Sequence, residues 1–135
     1  MPVRTFLGLD VGEKRVGLAL GDSGVKISVP FGYLDRSEAT VQQITEIVLQ
    51  HNIRVIVVGY PRNQSGEPTK QTELVEGFVS QLEDIDVEAD IVFQDESLTS
   101  VEAERRLGRV KDKGDIDAEA ASIILQDYLE QNYAN

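Results

Sequence analysis

The feature that most constrains this chain is a pair of apolar runs joined by a turn too short for a crossover. Val3 to Leu9 is apolar with few breaks, as a central strand should be. Asp10 closes it, and Arg15-Val16-Gly17-Leu18-Ala19-Leu20 follows after only Val11-Gly12-Glu13-Lys14. So short a link allows antiparallel pairing alone. Asp22-Ser23-Gly24 is a second turn signal, and Val25 to Leu34 reads as a third strand, where Pro30 predicts an edge position or a bulge. The pattern then alternates. Ser37 is the expected N-cap of a helix to about His51, with Val41, Ile44, Ile47 and Val48 on one face. Arg54 to Gly59 is a β-branched buried strand. The loop Tyr60 to Gly66 precedes a helix to about Leu82, with Leu74, Val75, Phe78, Val79 and Leu82 inward, and Val87 to Phe93 reads as the last strand. Thr99 with Glu102 predicts a capped short helix ending near Gly108, and a final helix runs from Asp115 or Ile116 to about Asn132. The order βββαβαβαα predicts an α/β fold, a mixed sheet with helices on its faces. With no internal repeat or linker, residues 1–135 are expected to form one domain.

Composition excludes several functions. There is no cysteine, hence no thiolate metal site and no cysteine nucleophile. The single histidine, His51, rules out His-rich metal sites and argues against a Ser-His-Asp triad; it reads as a helix-terminal residue suited to the dipole. No run approaches the roughly 20 apolar residues of a membrane span, and the short N-terminal apolar stretch, ending in Asp10, does not read as a signal peptide. A cytoplasmic location is the expectation. Neither GxxxxGK(S/T) nor GxGxxG is present, so P-loop and Rossmann readings fail. The net charge of -11 speaks against broad binding to a phosphate backbone. Acids in a metal site are offset by bound cations, however. The bases are also uneven: Arg105, Arg106, Arg109, Lys111 and Lys113 cluster, while the densest acidic stretch, Glu83 to Asp90, lies elsewhere. The basic cluster can equally be a solvated face, with Glu102 pairing Arg106. Residues 109–114 read as the best mobile-loop candidate.

Three acidic motifs remain. Asp10 ends a buried strand, where a charge is costly unless paired or bound to a metal. In Asp10-Val11-Gly12-Glu13-Lys14-Arg15-Val16-Gly17 the glycines let the backbone approach a phosphate or metal, and Lys14 and Arg15 could meet phosphate; the alternative is a plain hairpin turn. Gln94-Asp95-Glu96-Ser97-Leu98-Thr99 follows the last predicted strand, at the end where α/β sheets bind ligands. Asp115-Ile116-Asp117-Ala118-Glu119-Ala120-Ala121 opens a helix, and its alanines would let that helix lie close to the sheet. Taken alone, these last two read as solvated acids at helix starts. Together, three separated carboxylates at one sheet edge would suit Mg²⁺ or Mn²⁺ and phosphodiester hydrolysis, although periodicity cannot show that they converge.

Those blocks, with Val57-Val58-Gly59-Tyr60-Pro61 and Gly66, make the chain similar to the YqgF family of pre-16S rRNA nucleases, also described as RuvC-like Holliday junction resolvases. The similarity runs from about residue 5 to 130. It implies an RNase H-like fold with a five-stranded mixed sheet of order 3-2-1-4-5. It implies catalytic, metal-binding Asp10, Glu96 and Asp117, with Asp95 as a further metal ligand, and Mg²⁺ or Mn²⁺ as cofactor. Substrate contacts are expected at Lys14, Arg15, Arg62, Arg109, Lys111 and Lys113. The implied role is 5′ maturation of precursor 16S rRNA, with the assembling small ribosomal subunit as partner and a monomer or homodimer as the working form. Branched-DNA resolution and a non-catalytic RNA- or ribosome-binding module are the rivals. Phosphotransfer, suggested by the Asp-x-Gly turn, would need a second domain. Ser97 stands where the family usually has Arg, and Tyr60 where an aliphatic residue is usual.

Overall fold

A computed structural model of the chain describes residues 2–61, 67–96 and 112–133. Strands β1 (Thr5–Val11), β2 (Arg15–Asp22) and β3 (Val29–Asp35) form the expected meander, followed by α1 (Thr40–Gln50), β4 (Val55–Pro61), α2 (Lys70–Asp84), β5 (Asp90–Glu96) and α3 (Lys113–Tyr133). The five strands make one sheet of order β3-β2-β1-β4-β5. β1 pairs antiparallel with β2 and parallel with β4, and β4 pairs parallel with β5. The C-terminal ends of β1, β4 and β5 therefore point the same way.

Strand alternation divides the core in two. Leu7, Leu9 and Val11 of β1 and Ile56 and Val58 of β4 pack against Ile44 and Val48 of α1 and Val75, Phe78, Val79 and Leu82 of α2. Each such side chain, once buried, contributes about 1.5–3 kcal/mol. On the other face Phe6, Ala19, Val55 and Val57 meet Ala121, Ile124, Leu125 and Leu129 of α3. Gly8 belongs to this face: a β-carbon there would lie 2.9 Å from the Leu125 Cβ and 3.0 Å from the Ala121 carbonyl oxygen. Small residues on both partners let α3 lie directly on the sheet.

Several boundaries differ from expectation. β3 starts at Val29, because Lys26 takes φ 64° and the Ser28 N–H donates to Gln126 Oε1 of α3 at 2.8 Å. Pro30 does mark an edge strand with a register shift, opposite Leu18 and Ala19. β5 starts at Asp90, not Val87, since its parallel register with β4 begins at Val55↔Asp90 and runs to Pro61↔Glu96. The helix after Ser37 begins at Thr40 with Ala39 at its N-cap; Ser37 instead accepts the Ala39 N–H and donates its own N–H to Thr40 Oγ1. Helix α2 carries a reciprocal cap between Thr69 and Thr72. The predicted cap at Thr99 and Glu102 lies outside the described residues. Among the described residues no helix is long and apolar enough to cross a membrane.

Candidate acidic site

β1 carries Asp10 as its last-but-one residue, opposite Gly17 of β2. With Phe6 and Gly8 it faces α3. Glu96 ends β5 on that same face, two residues beyond Gln94, whose amide reaches Gln131 of α3. Gly59 of β4 makes room for it: a β-carbon there would lie 2.5 Å from Glu96 Oε2 and 2.5 Å from Ile124 Cδ1. Asp117 arrives from the first turns of α3. The helix approaches so closely that a β-carbon on Gly17 would collide with the Asp117 carbonyl. Gly114, one turn earlier, lies under the Tyr33 ring with no space for a side chain.

The electrostatics of the acids differ. Burial, reinforced by Glu96 and then Asp117, pushes the Asp10 carboxyl from 3.8 to about 8. Burial also pushes Glu96 up to about 7, and its Oε2 is buried without a hydrogen-bond partner among the described residues. Asp117 is compensated: its Oδ2 accepts from Arg15 Nε at 2.7 Å. That bond, ahead of opposing burial, holds Arg15 more firmly in its charged form. Among the described residues no three acids are drawn close enough to hold an ion, and Asp117 is paired with Arg15. Among the described residues, Asp10 and Glu96 are the pair of these acids given no counter-charge. An orphaned buried carboxylate oxygen beside a second, half-buried acid is a donor set of hard oxygens that fits a divalent cation.

The turn beside Asp10 is braced. The Gly12 N–H donates to the Arg15 carbonyl at 2.9 Å. Gln71 of α2 donates to the Val11 carbonyl, and Arg36 to the Gly12 carbonyl, each at 2.9 Å. Arg36 also lies over the Phe78 ring, 5.0 Å from its centroid. Neither Gln71 nor Arg36 stands out in the sequence, because each is one polar residue on an ordinary surface pattern.

The remaining candidates separate. Lys14 is exposed in the β1–β2 turn, and Lys113 is exposed at the start of α3. Arg62, Arg109 and Lys111 lie outside the described residues, as does Ser97. Asp95 is not brought to the other acids: it sits in the strand and not in a loop after it, on the opposite face from Glu96, level with Tyr60 of β4. Tyr60 marks that face, donating to Glu76 of α2 at 2.7 Å and meeting the Phe93 ring edge-on.

Acids carried to one edge of a 3-2-1-4-5 mixed sheet by β1, β5 and the helix lying across it define an RNase H-like protein. The same fold is seen in *Thermus thermophilus* RuvC in complex with a Holliday junction substrate (TM-score 0.58, 12% identity, 95% of this chain and 94% of that one). It is seen also in the fowlpox virus resolvase with its Holliday junction DNA (TM-score 0.58, 10% identity, 94% and 97%). Within that class, the chain belongs to the RuvX family, described as Holliday junction resolvase, whose model matches residues 4–131. This is the YqgF family of the sequence analysis. Relatives bearing the name "Putative pre-16S rRNA nuclease" include those of *Chloroflexus aggregans* (39% identical over 137 residues, 96% of each chain) and *Bartonella quintana* (35% over 136 residues, 96% of this chain and 85% of that one).

Proposed function

We propose that the chain is a divalent-metal-dependent nuclease that hydrolyses phosphodiester bonds in the 5′ maturation of precursor 16S rRNA. The observation that carries this reading is the half-buried, desolvated pair Asp10 and Glu96 at the ends of β1 and β5, on either side of β4, with Glu96 Oε2 buried and without a partner among the described residues. A chain keeps two such acids against their burial cost only where a cation repays it on binding. Membership in the RuvX family and the names of the relatives support nucleic acid as substrate and precursor rRNA as its kind.

Asp10 and Glu96 would hold the cation, with Asp117 completing the set; Mg²⁺ or Mn²⁺ suits all-carboxylate ligation. Bound there, the metal would supply activation of water and neutralisation of charge at the scissile phosphate. The chain's own residues do the rest. The wall of α3, with Ile124 against Gly59, excludes bulk water from the Glu96 carboxylate. Arg15 pairs with Asp117 and orients it, and the braced turn holds Asp10 in place. Lys14, Lys113 and, in the segments not described, Arg62, Arg109 and Lys111 contribute cations to meet the RNA backbone. Such a role places the protein in the cytoplasm with assembling small subunits.

Branched DNA is the second reading, favoured by the description of the matching family. The test is incubation of the purified protein with end-labelled precursor 16S rRNA and, in parallel, a four-way DNA junction. Mg²⁺ or Mn²⁺ is compared with EDTA, and wild type with Asp10→Asn. Metal-dependent RNA cleavage lost in Asp10→Asn is the expected result. Junction cutting alone would move the substrate to DNA. Cleavage of neither, with RNA binding intact in the variant, would replace the enzyme with a binding module.

A further inference from the structure

One acid of the site already has a cation of its own. Asp117 Oδ2 accepts from Arg15 Nε at 2.7 Å. Asp117 is also near enough to Asp10 to raise its pKa, as Glu96 does. Yet among the described residues no three acids are drawn close enough to share an ion. The third ligand is therefore beside the pair and engaged elsewhere.

The backbone that carries Asp117 is fixed. Helix α3 lies so close to β2 that a β-carbon on Gly17 would collide with the Asp117 carbonyl, and the Tyr33 ring covers Gly114. Asp112 Oδ1 accepts the Asp115 N–H at 2.8 Å and secures the start of the helix. The side chain keeps its freedom. Asp117 stands over Gly17, with Arg15 two residues along β2 on the same face and Asp10 opposite Gly17 on β1. A turn about the Asp117 Cα–Cβ bond, from one staggered position to another, carries the carboxylate away from Arg15 and toward Asp10. Water reaches the ion pair, whose side chains are 23% and 24% exposed, so burial does not lock it. Arg15 has a second seat as well: Asp35 is its partner on β3 and already favours the charged guanidinium.

We propose that Arg15 is a built-in competitor of the divalent cation for Asp117. Without a cation the guanidinium neutralises Asp117 and relieves its repulsion toward Asp10 and Glu96. Once Asp10 and Glu96 hold a cation, Asp117 turns to join them and Arg15 passes to Asp35. One ion pair is exchanged for another, with no covalent bond made or broken. A doubly charged ion held by hard oxygens attracts the third carboxylate more strongly than one guanidinium charge does. A guanidinium that only steadied Asp117 would keep its bond with or without a cation. The exchange rests on the nuclease reading, which supplies the cation.

The test follows Arg15 itself. In the isotope-labelled full chain, the NMR signal of the Arg15 Nε–H, assigned by its absence from Arg15→Gln, is recorded as Mg²⁺ is added. Without metal the bond to Asp117 slows its exchange with water; saturating Mg²⁺ is expected to move the signal and remove that protection. Mn²⁺ affinity is then measured by calorimetry for wild type, Arg15→Gln, Asp117→Asn and the double variant. Arg15→Gln should bind about fivefold more tightly than wild type, and the gain should vanish in the Asp117→Asn background. A gain that persists without the Asp117 carboxylate marks a general field of charge on Asp10 and Glu96, and the proposal falls. Weaker binding by Arg15→Gln also overturns it, since Arg15 would then assist the cation. If a variant fails to fold, the wild-type signal decides. A protein that Mg²⁺ stabilises with the Arg15 Nε–H unmoved refutes the exchange alone. One that neither Mg²⁺ nor Mn²⁺ affects refutes the exchange and the nuclease reading together.

Discussion

The two faces of the sheet are built from different materials. The face under α1 and α2 is filled by Leu7, Leu9, Ile56, Val58, Phe78 and Leu82. The face under α3 depends on Gly8, Gly17, Ala19, Gly59, Ala118 and Ala121. The bulky face supplies hydrophobic stabilisation. The lean face forgoes much of it, and in return a helix comes near enough to set Asp117 beside the ends of β1 and β5. Buried acids then add a further cost on that side. Stability and chemistry are thereby separated by one layer of backbone, and substitutions on the two faces should fail in different ways.

The largest contrast lies at Asp10. Asp10→Asn should lower metal-dependent cleavage by about a thousandfold or more, as loss of an essential acid does. The same change should stabilise the metal-free protein. The sign follows from the raised pKa: between about pH 4 and 8 the folded state keeps a proton that the unfolded state has released, so wild-type stability falls as pH rises through that window. Urea melts should find the two proteins alike near pH 4 and Asp10→Asn ahead by about 2 kcal/mol at pH 8. A variant that loses both activity and stability would break the comparison.

Neighbours in sequence sharpen it next. Glu96→Gln should cost about a hundredfold in cleavage, whereas Asp95→Asn, on the opposite face, should leave the rate within about twofold. Equal losses would show that the strand alternation does not govern the site. Gly17→Ala and Leu9→Ala form a third pair, each expected to cost about 2–4 kcal/mol. Gly17→Ala displaces α3 and with it Asp117, so its activity should fall even well below its melting temperature. Leu9→Ala leaves a cavity on the bulky face and should keep its kcat there. The smallest effect is expected from Tyr60→Phe, which removes the exposed hydrogen bond to Glu76: a melting temperature barely moved, with no change in rate.

Much of this division is readable in the sequence. The uninterrupted apolar run before Asp10, the short turn to Arg15 and the alanines after Asp117 announce a buried strand, a hairpin and a close helix. What escaped the reading is set by partners distant along the chain. Val87 and Ala89 alternate with acids and look like strand, yet parallel pairing with Val55 starts β5 at Asp90. That shift places Glu96 in the sheet and turns Asp95 away from it. Val25 and Ile27 look like strand for the same reason, but Gln126, 100 residues from Lys26, holds that segment against α3. The Arg15–Asp117 bond spans 102 residues and has no local signature. That Asp10, Glu96 and Asp117 come to the same side of the sheet is likewise a property of topology and not of spacing.

The central claim is that the acids of the lean face are kept against their burial cost for a divalent cation. Thermal unfolding at pH 8 with increasing Mn²⁺, for wild type and Asp10→Asn, tests it most directly. Without metal the variant should melt higher. Saturating Mn²⁺ should raise wild type by about 2.7 kcal/mol at a hundred times the dissociation constant and close the gap, while moving the variant far less. If Mn²⁺ shifts both proteins equally, or neither, Asp10 does not bind the metal and the account of this site is wrong.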